Sequence, residues 1–245
     1  LGSGAHWNPH AILGAHSHDG GLTIRTMRPM ATTVAVELPD GSVHPMDHEK
    51  HGIWVVCLPG LASTDYRIQV GYESHPLATV DDPYRFLPTL GEIDLHLIGE
   101  GRHEQLWTVL GANEKRFEGP MGVVQGTSFT VWAPNAQAVR LIGDHNHWDG
   151  ASTQLRSLGH SGVWEIFVPG VGPGTTYRFQ ILGRDGHWQS KSDPLARGAE
   201  LRPANASVVV RSDYTWADQE WTGARAPRGQ APRPRRQKQK PQGAR

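Results

Sequence analysis

The sequence predicts an all-β protein built as two tandem β-sandwich domains. Three observations carry that expectation. The first is an internal duplication: GVWEIFVPG at 162–170 has an earlier counterpart, GIWVVCLPG at 52–60. Further matches keep the same order. TDYRIQV at 64–70 pairs with TTYRFQI at 175–181, and RPMATTV at 28–34 with APNAQAV at 133–139. LGA recurs at 13–15 and 110–112, and Asp-Pro at 82–83 and 193–194. Ordered matches spaced by 97 to 111 residues are too far apart for a solenoid and mark two copies of a whole domain. The second observation is a series of short alternating runs, separated by turn residues about every ten positions. The third is composition: 245 residues with 29 Gly and 18 Pro suit two turn-rich cores.

In the first domain, expected over 1–91, residues 1–4 read as linker. Strand signals follow at 22–26, 33–38, 53–58 and 66–70, with Pro39-Asp-Gly41 and Pro59-Gly60 as turns. Period-two alternation puts Trp54, Val56 and Leu58 on one face, and Tyr66, Ile68 and Val70 on another, with Arg67 and Gln69 opposite. Residues 71–91 are Pro-rich and loop-like. In 92–109, Ile93, Leu97, Ile98, Leu106 and Trp107 recur at roughly helical spacing, which predicts a short helical connector. The second domain, expected over 110–216, repeats the plan. Phe129 and Val131, Val139 and Leu141, Trp164, Ile166 and Val168, and Tyr177, Phe179 and Ile181 should face inward, with a last strand at 207–211. The hydrophobic pattern stops after Trp221. Four Pro and eight Lys or Arg within 222–245 predict a disordered basic tail over 217–245.

That tail holds eight of the 24 basic residues and none of the 24 acidic ones, so the rest of the chain is acidic. An acidic body argues against nucleic acid as a partner, and the tail reads as a solvated segment. No apolar run reaches the ~18 residues of a membrane helix, and no signal peptide opens the chain, so a cytoplasmic protein without membrane contact is expected. The one cysteine, Cys57, excludes an internal disulfide, fits a reducing compartment, and reads as a small core residue.

FTVWAPNA at 129–136, GDHNHWDG at 143–150 and GVWEIFVPG at 162–170 resemble the amino-terminal region of glycogen branching enzymes of the actinobacterial type. These are 1,4-α-glucan branching enzymes of glycoside hydrolase family 13. PHAILGAH at 9–16 resembles the opening motif of their first domain. The likeness covers nearly all of 6–221. It implies immunoglobulin-like sandwiches, the second similar to carbohydrate-binding module family 48. It implies an α-glucan partner, glycogen or malto-oligosaccharides. It also implies a barrel domain that carries the family's catalytic carboxylates and turns α-1,4 links into α-1,6 branches. A barrel needs at least ~200 residues. Only 24 residues follow Trp221, without a carboxylate. No catalytic residue is therefore expected within the chain, and a truncation or a shifted reading frame is expected near that point. The alternative is a free-standing, non-catalytic protein that tethers partners to α-glucan.

Glucan binding needs flat aromatic faces and polar groups for hydroxyls. The resemblance extends to the glycogen-binding domain of AMP-activated kinase beta subunits. Through it, the sugar-stacking tryptophans fall at Trp148 and Trp188, the basic residue at Arg178, the amide at Asn205 and an apolar neighbour at Leu201. Two readings of Trp148 and Trp188 stand side by side: they stack on sugar, or they pack against a barrel. His145 departs from the Phe usual in this motif and is expected to loosen the loop that holds Trp148. Trp54 and Trp164 lie on inferred core faces, and Trp132 is grouped with them as a packing residue. The first domain has no counterpart of Trp148 or Trp188 and reads as structural. His16-Ser-His18 and His145-Asn-His147 lack a third ligand at set spacing, so neither a metal nor a cofactor is expected.

Overall fold

The computed structural model describes residues 2, 4–212, 214, 215, 217–219 and 223. The chain divides into two units, Leu1–Arg211 and Ser212–Arg245. The second lies almost wholly outside the described residues, and the disorder expected of the tail falls there. Among the described residues no helix is long and apolar enough to cross a membrane.

The first unit holds two sandwiches. In the first, β1 (Gly14–His18), β2 (Gly21–Met27), β5 (Asp47–Lys50) and β6 (Ile53–Pro59) form a sheet in the order β1-β2-β6-β5. β3 (Ala31–Glu37), β4 (Val43–Pro45), β7 (Arg67–Tyr72) and β8 (Ala78–Val80) form the other, in the order β4-β3-β7-β8. Alternation decides what lies between them. Leu22, Ile24, Trp54 and Leu58 from one sheet meet Val34, Val36, Ile68 and Val70 from the other in one buried cluster. The same alternation turns Cys57 outward, between inward Val56 and Leu58. It is exposed, with its Sγ 3.8 Å from His18 Nε2, not a core residue.

After β8, an Asp82-capped turn leads to α1 (Glu92–Gly99). Glu92 and Asp94 sit in its first turn, where the helix dipole favours acids. The connector is shorter than the spacing predicts. It is α-helical for eight residues and resumes only as a 3-10 turn at Leu106–Thr108. Gly99 ends the helix, and Gly101 beyond it has φ +68°, which an α-helix does not accept. Leu95 and Ile98 pack toward buried Leu90, Leu110 and Val163, while Ile93 is exposed.

The second sandwich pairs β9 (Gly111–Gly119), β10 (Gly122–Trp132), β12 (Arg156–Ser157) and β13 (Val163–Pro169) in the order β12-β13-β10-β9. Facing it are β11 (Ala138–Gly143), β14 (Thr176–Leu182), β15 (Trp188–Lys191), β16 (Gly198–Ala199) and β17 (Ser207–Val208). β11 lies on one edge of β14, and β17 and β15 succeed one another along the other. The expected inward residues Phe129, Val131, Val139, Leu141, Trp164, Ile166, Val168, Tyr177 and Phe179 share one core, with Ile181 at its margin. The last strand ends at Val208 and does not reach 211, although Val209 stays buried and its N–H donates to Thr175 O at 3.0 Å.

Four residues of the first sandwich, Leu13, Met27, Ile53 and Tyr84, join the core of the second. The Tyr84 hydroxyl donates to Ser152 O at 2.9 Å and accepts from Gln154 N–H at 3.0 Å. Below the same turn, Arg156 meets fully buried Glu165 at 2.7 Å and donates to Phe86 O at 3.0 Å. The linker and the second sandwich are thus tied by hydrogen bonds as well as by apolar contact.

Candidate glucan platform on the second sandwich

The outer face of the β11-β14-β15 sheet collects most of the candidate residues. Tyr177 and Phe179 point inward, so Arg178 and Gln180 point outward. Cross-strand pairs set their neighbours: Arg178 faces Ile142, Gln180 faces Arg140 and Ser190, and Leu182 faces Trp188. From Arg178 to the Leu182–Trp188 pair is about 13 Å along the strand.

Arg178 donates to Asn205 Oδ1, which brings the expected cation and amide together. Asn205 is held in turn by its carbonyl, which accepts from Ser192 Oγ at 2.5 Å. Trp188 is half-buried at the far end, and the Arg140 guanidinium stacks on its ring 3.8 Å from the centroid. Burial lowers the pKa of Arg140 from its ordinary value. The Nε atoms of Arg140 and Arg178 are both buried without a protein partner. Arg140 was not anticipated from the sequence. Its signal is its place between inward Val139 and Leu141, opposite Gln180, which only the strand register reveals.

Trp148 projects from the loop that follows β11 and is 41% exposed. Its backbone is left-handed, with φ +62°, after His147 at +52°. The loop is firmly tied. Trp148 N–H donates to Gly143 O at 3.0 Å. Asn146 accepts from Gly143 N–H at 3.0 Å and donates to Leu141 O at 2.9 Å and Thr153 Oγ1 at 3.1 Å. Asp144 accepts from the Thr176 N–H at 2.9 Å and hydroxyl at 2.6 Å, and these bonds hold its carboxyl below the usual range. His145 occupies an aromatic place: its ring stacks on Phe129, centroids 6.2 Å apart. Burial lowers its pKa to about 4, so it sits there as a neutral ring. Leu201 is 90% exposed on the loop ahead of Asn205.

Trp54 and Trp164 are core residues, 8% and 4% exposed. Trp132 is not. It is 57% exposed, with its indole N–H donating to Ser161 O at 3.1 Å. It ends β10, where the sheet runs out and no facing strand covers it. Beside it lies an apolar cavity of about 370 Å³ lined by Ile98, Leu106, Leu110, Pro194 and Leu195. His16 and His18 pair with Leu13 O and Thr23 Oγ1 at 3.0 and 2.9 Å. Among the described residues no group of three or more His, Cys, Asp or Glu is placed to hold a metal ion.

Two family models match separate stretches of the chain. Residues 1–84 match the family described as the alpha-1,4-glucan branching enzyme GlgB, N-terminal domain. Residues 109–196 match carbohydrate-binding module 48, the isoamylase N-terminal domain. The chain is 54% identical over 226 residues to 1,4-alpha-glucan branching enzyme GlgB of Thermobifida fusca, covering 92% of this chain and 30% of that protein. It is 52% identical over 224 residues to GlgB 2 of Streptomyces coelicolor, covering 91% and 30%. The chain thus spans about a third of the length of these relatives. A solved pullulanase from Anoxybacillus sp. LM18-11, complexed with maltotetraose, matches 81% of this chain at 17% identity and TM-score 0.35.

Proposed function

We infer that this chain, which carries the N-terminal domain of the GlgB branching enzymes followed by a carbohydrate-binding module 48, captures α-glucan and orients the glucan-branching part of such an enzyme. The observation that carries the binding half is the outer sheet face. It sets two partly exposed indoles, two guanidinium groups and an amide around one sheet of the second sandwich. Indole faces stack on pyranose rings, and unpartnered N–H donors suit hydroxyls. The reading assigns sugar stacking to Trp148 and Trp188. It assigns hydroxyl contacts to Arg178, Asn205 and Arg140, and an apolar margin to Leu201. It places the protein in the cytoplasm, where its single thiol needs no partner.

The orienting half rests on the duplication. Leu13, Met27, Ile53 and Tyr84 seat the next domain in the first copy. By the aligned motifs their counterparts are Leu110, Trp132, Val163 and Leu195. The registers agree, since Met27 pairs with Ile53 and Trp132 with Val163. In the second copy this end is left partly open, with Trp132 bare and the 370 Å³ cavity alongside. It is the place for a following barrel domain, and the α-1,6 branching step belongs to that domain.

Titration with maltoheptaose tests the binding half. The wild type should bind in the millimolar to micromolar range, roughly −4 to −8 kcal/mol. Trp148→Ala and Trp188→Ala should each remove most of that affinity while the melting temperature stays within a few degrees. Unchanged affinity in both variants would refute the platform.

A further inference from the structure

A groove of about 800 Å³ runs between the two sandwiches, and nothing in the platform accounts for it. One wall is the β2–β3 turn, with Arg28 and Met30, together with the turn after β7, with Tyr72, Glu73 and His75. The other wall is the loop that bears Trp148, which contributes His145, Asn146, His147 and Asp149.

Three features set this groove apart. Five non-glycine residues among those described have a left-handed backbone, and four stand here or at its rim: Met30, Ser74, His147 and Trp148. Such conformations are uncommon outside glycine and concentrate at ligand sites. Both ring nitrogens of His145 and the Nε of Arg28 are buried without a protein partner. Charge is mixed, with Arg28 against Glu73 and Asp149, and His145 is neutral at ordinary pH. That lining suits an uncharged, hydroxyl-rich ligand better than a phosphate or a metal ion. It also includes the aromatic side chains Tyr72, His75 and His147.

We propose that this groove is a second α-glucan subsite, which receives the continuation of a chain held at Trp148. The proposal rests on the platform reading, because the groove-lining His147 and Asp149 flank Trp148 in the chain. A short oligosaccharide fills the platform alone. A longer one reaches past the loop and onto Tyr72 and His75, so affinity rises with chain length. The first sandwich, structural in every other respect, then contributes directly to glucan binding.

The test compares maltotriose with maltoheptaose on the full chain, by calorimetric titration. The wild type should bind maltoheptaose about tenfold more tightly than maltotriose. In Tyr72→Ala/His75→Ala that ratio should fall to about two or less, with maltotriose affinity unchanged. Both side chains are exposed or nearly so, and a melting curve establishes that the variant is folded. Trp148→Ala should weaken both sugars. ¹⁵N resonances of the His145 ring should move with maltoheptaose and stay in place with maltotriose. A wild-type ratio retained by the double variant overturns the groove and leaves the platform standing. So does a wild type that binds both sugars equally. A wild type that binds neither sugar overturns both.

Discussion

The two sandwiches are the same scaffold put to different uses. In each, a core tyrosine donates its hydroxyl to an aspartate sixteen positions later: Tyr66 to Asp82 at 3.0 Å, Tyr177 to Asp193 at 2.6 Å. Each aspartate also accepts from the N–H two residues on, Tyr84 in one and Leu195 in the other. Burial raises the pKa of both tyrosines and both aspartates. Away from this shared clasp the copies part. β8 takes the place of β15, and exposed Leu77 stands where the second copy has Trp188. Arg67, the counterpart of Arg178, is paired with Asp81 at 3.3 Å instead of with an amide. Between the middle strands the first copy has β4 and β5, while the second has the Trp148 loop and the two-residue β12. The shared clasp lies in the core, and the copies diverge on the outer face to which glucan binding is assigned by proposal.

The sharpest way to break the comparison is at the domain ends. Met27→Ala should destabilise by about 2–5 kcal/mol, because it opens a cavity in the joint between the sandwiches. A cost below ~0.5 kcal/mol in denaturant melts would mean that the first copy does not seat the second. Tyr84→Phe should cost about 1–3 kcal/mol, since it removes the hydroxyl that bonds both Ser152 O and Gln154 N–H.

His145 distinguishes the second copy by pH. Its folded pKa of about 4 lies below the ordinary 6.5, so the unfolded chain binds the proton more tightly. Its contribution is whole above pH 6.5 and is lost as pH falls toward 4. The wild type should therefore lose about 2–3 kcal/mol across that window relative to His145→Phe. Buried His10, with its pKa lowered to about 3, remains in both proteins and cancels in the difference. Parallel stability curves for the two would contradict the neutral, stacked ring.

The smallest effect is expected at Trp132→Ala, about 1 kcal/mol or less in this chain, because the side chain is more than half exposed and gives up one hydrogen bond, to Ser161 O. Set beside Met27→Ala, its structural counterpart, it measures how far one end is covered and the other open.

The core was legible because its strands alternate cleanly. Every inward residue expected of β6, β10, β11, β13 and β14 lies in a core or at its margin. Edge strands left weaker traces. β1 carries His and Ser, and β9 reads GANEKRFEG, so neither shows an apolar period. Trp132 was grouped with the packing tryptophans, although the alternation that turns Phe129 and Val131 inward turns it outward. Its exposure follows from standing at the strand's end, and strand ends depend on what the sheet meets. Arg140 was invisible for a related reason: it joins Trp188 through a register between strands distant in sequence. Arg178 and Asn205 were singled out through family resemblance and not through their own chemistry, since a basic residue on an outward position is ordinary.

The most direct measurement follows the indole N–H resonances of the nine tryptophans while maltoheptaose is added. Each indole gives its own signal, so one titration compares platform and core in the same molecule. Trp148 and Trp188 should shift together along one saturable curve, while Trp54 and Trp164 stay fixed. Shifts confined to Trp132 or Trp107, or no saturable shift at Trp148 and Trp188, would contradict the assignment of glucan binding to the outer face of the second sandwich.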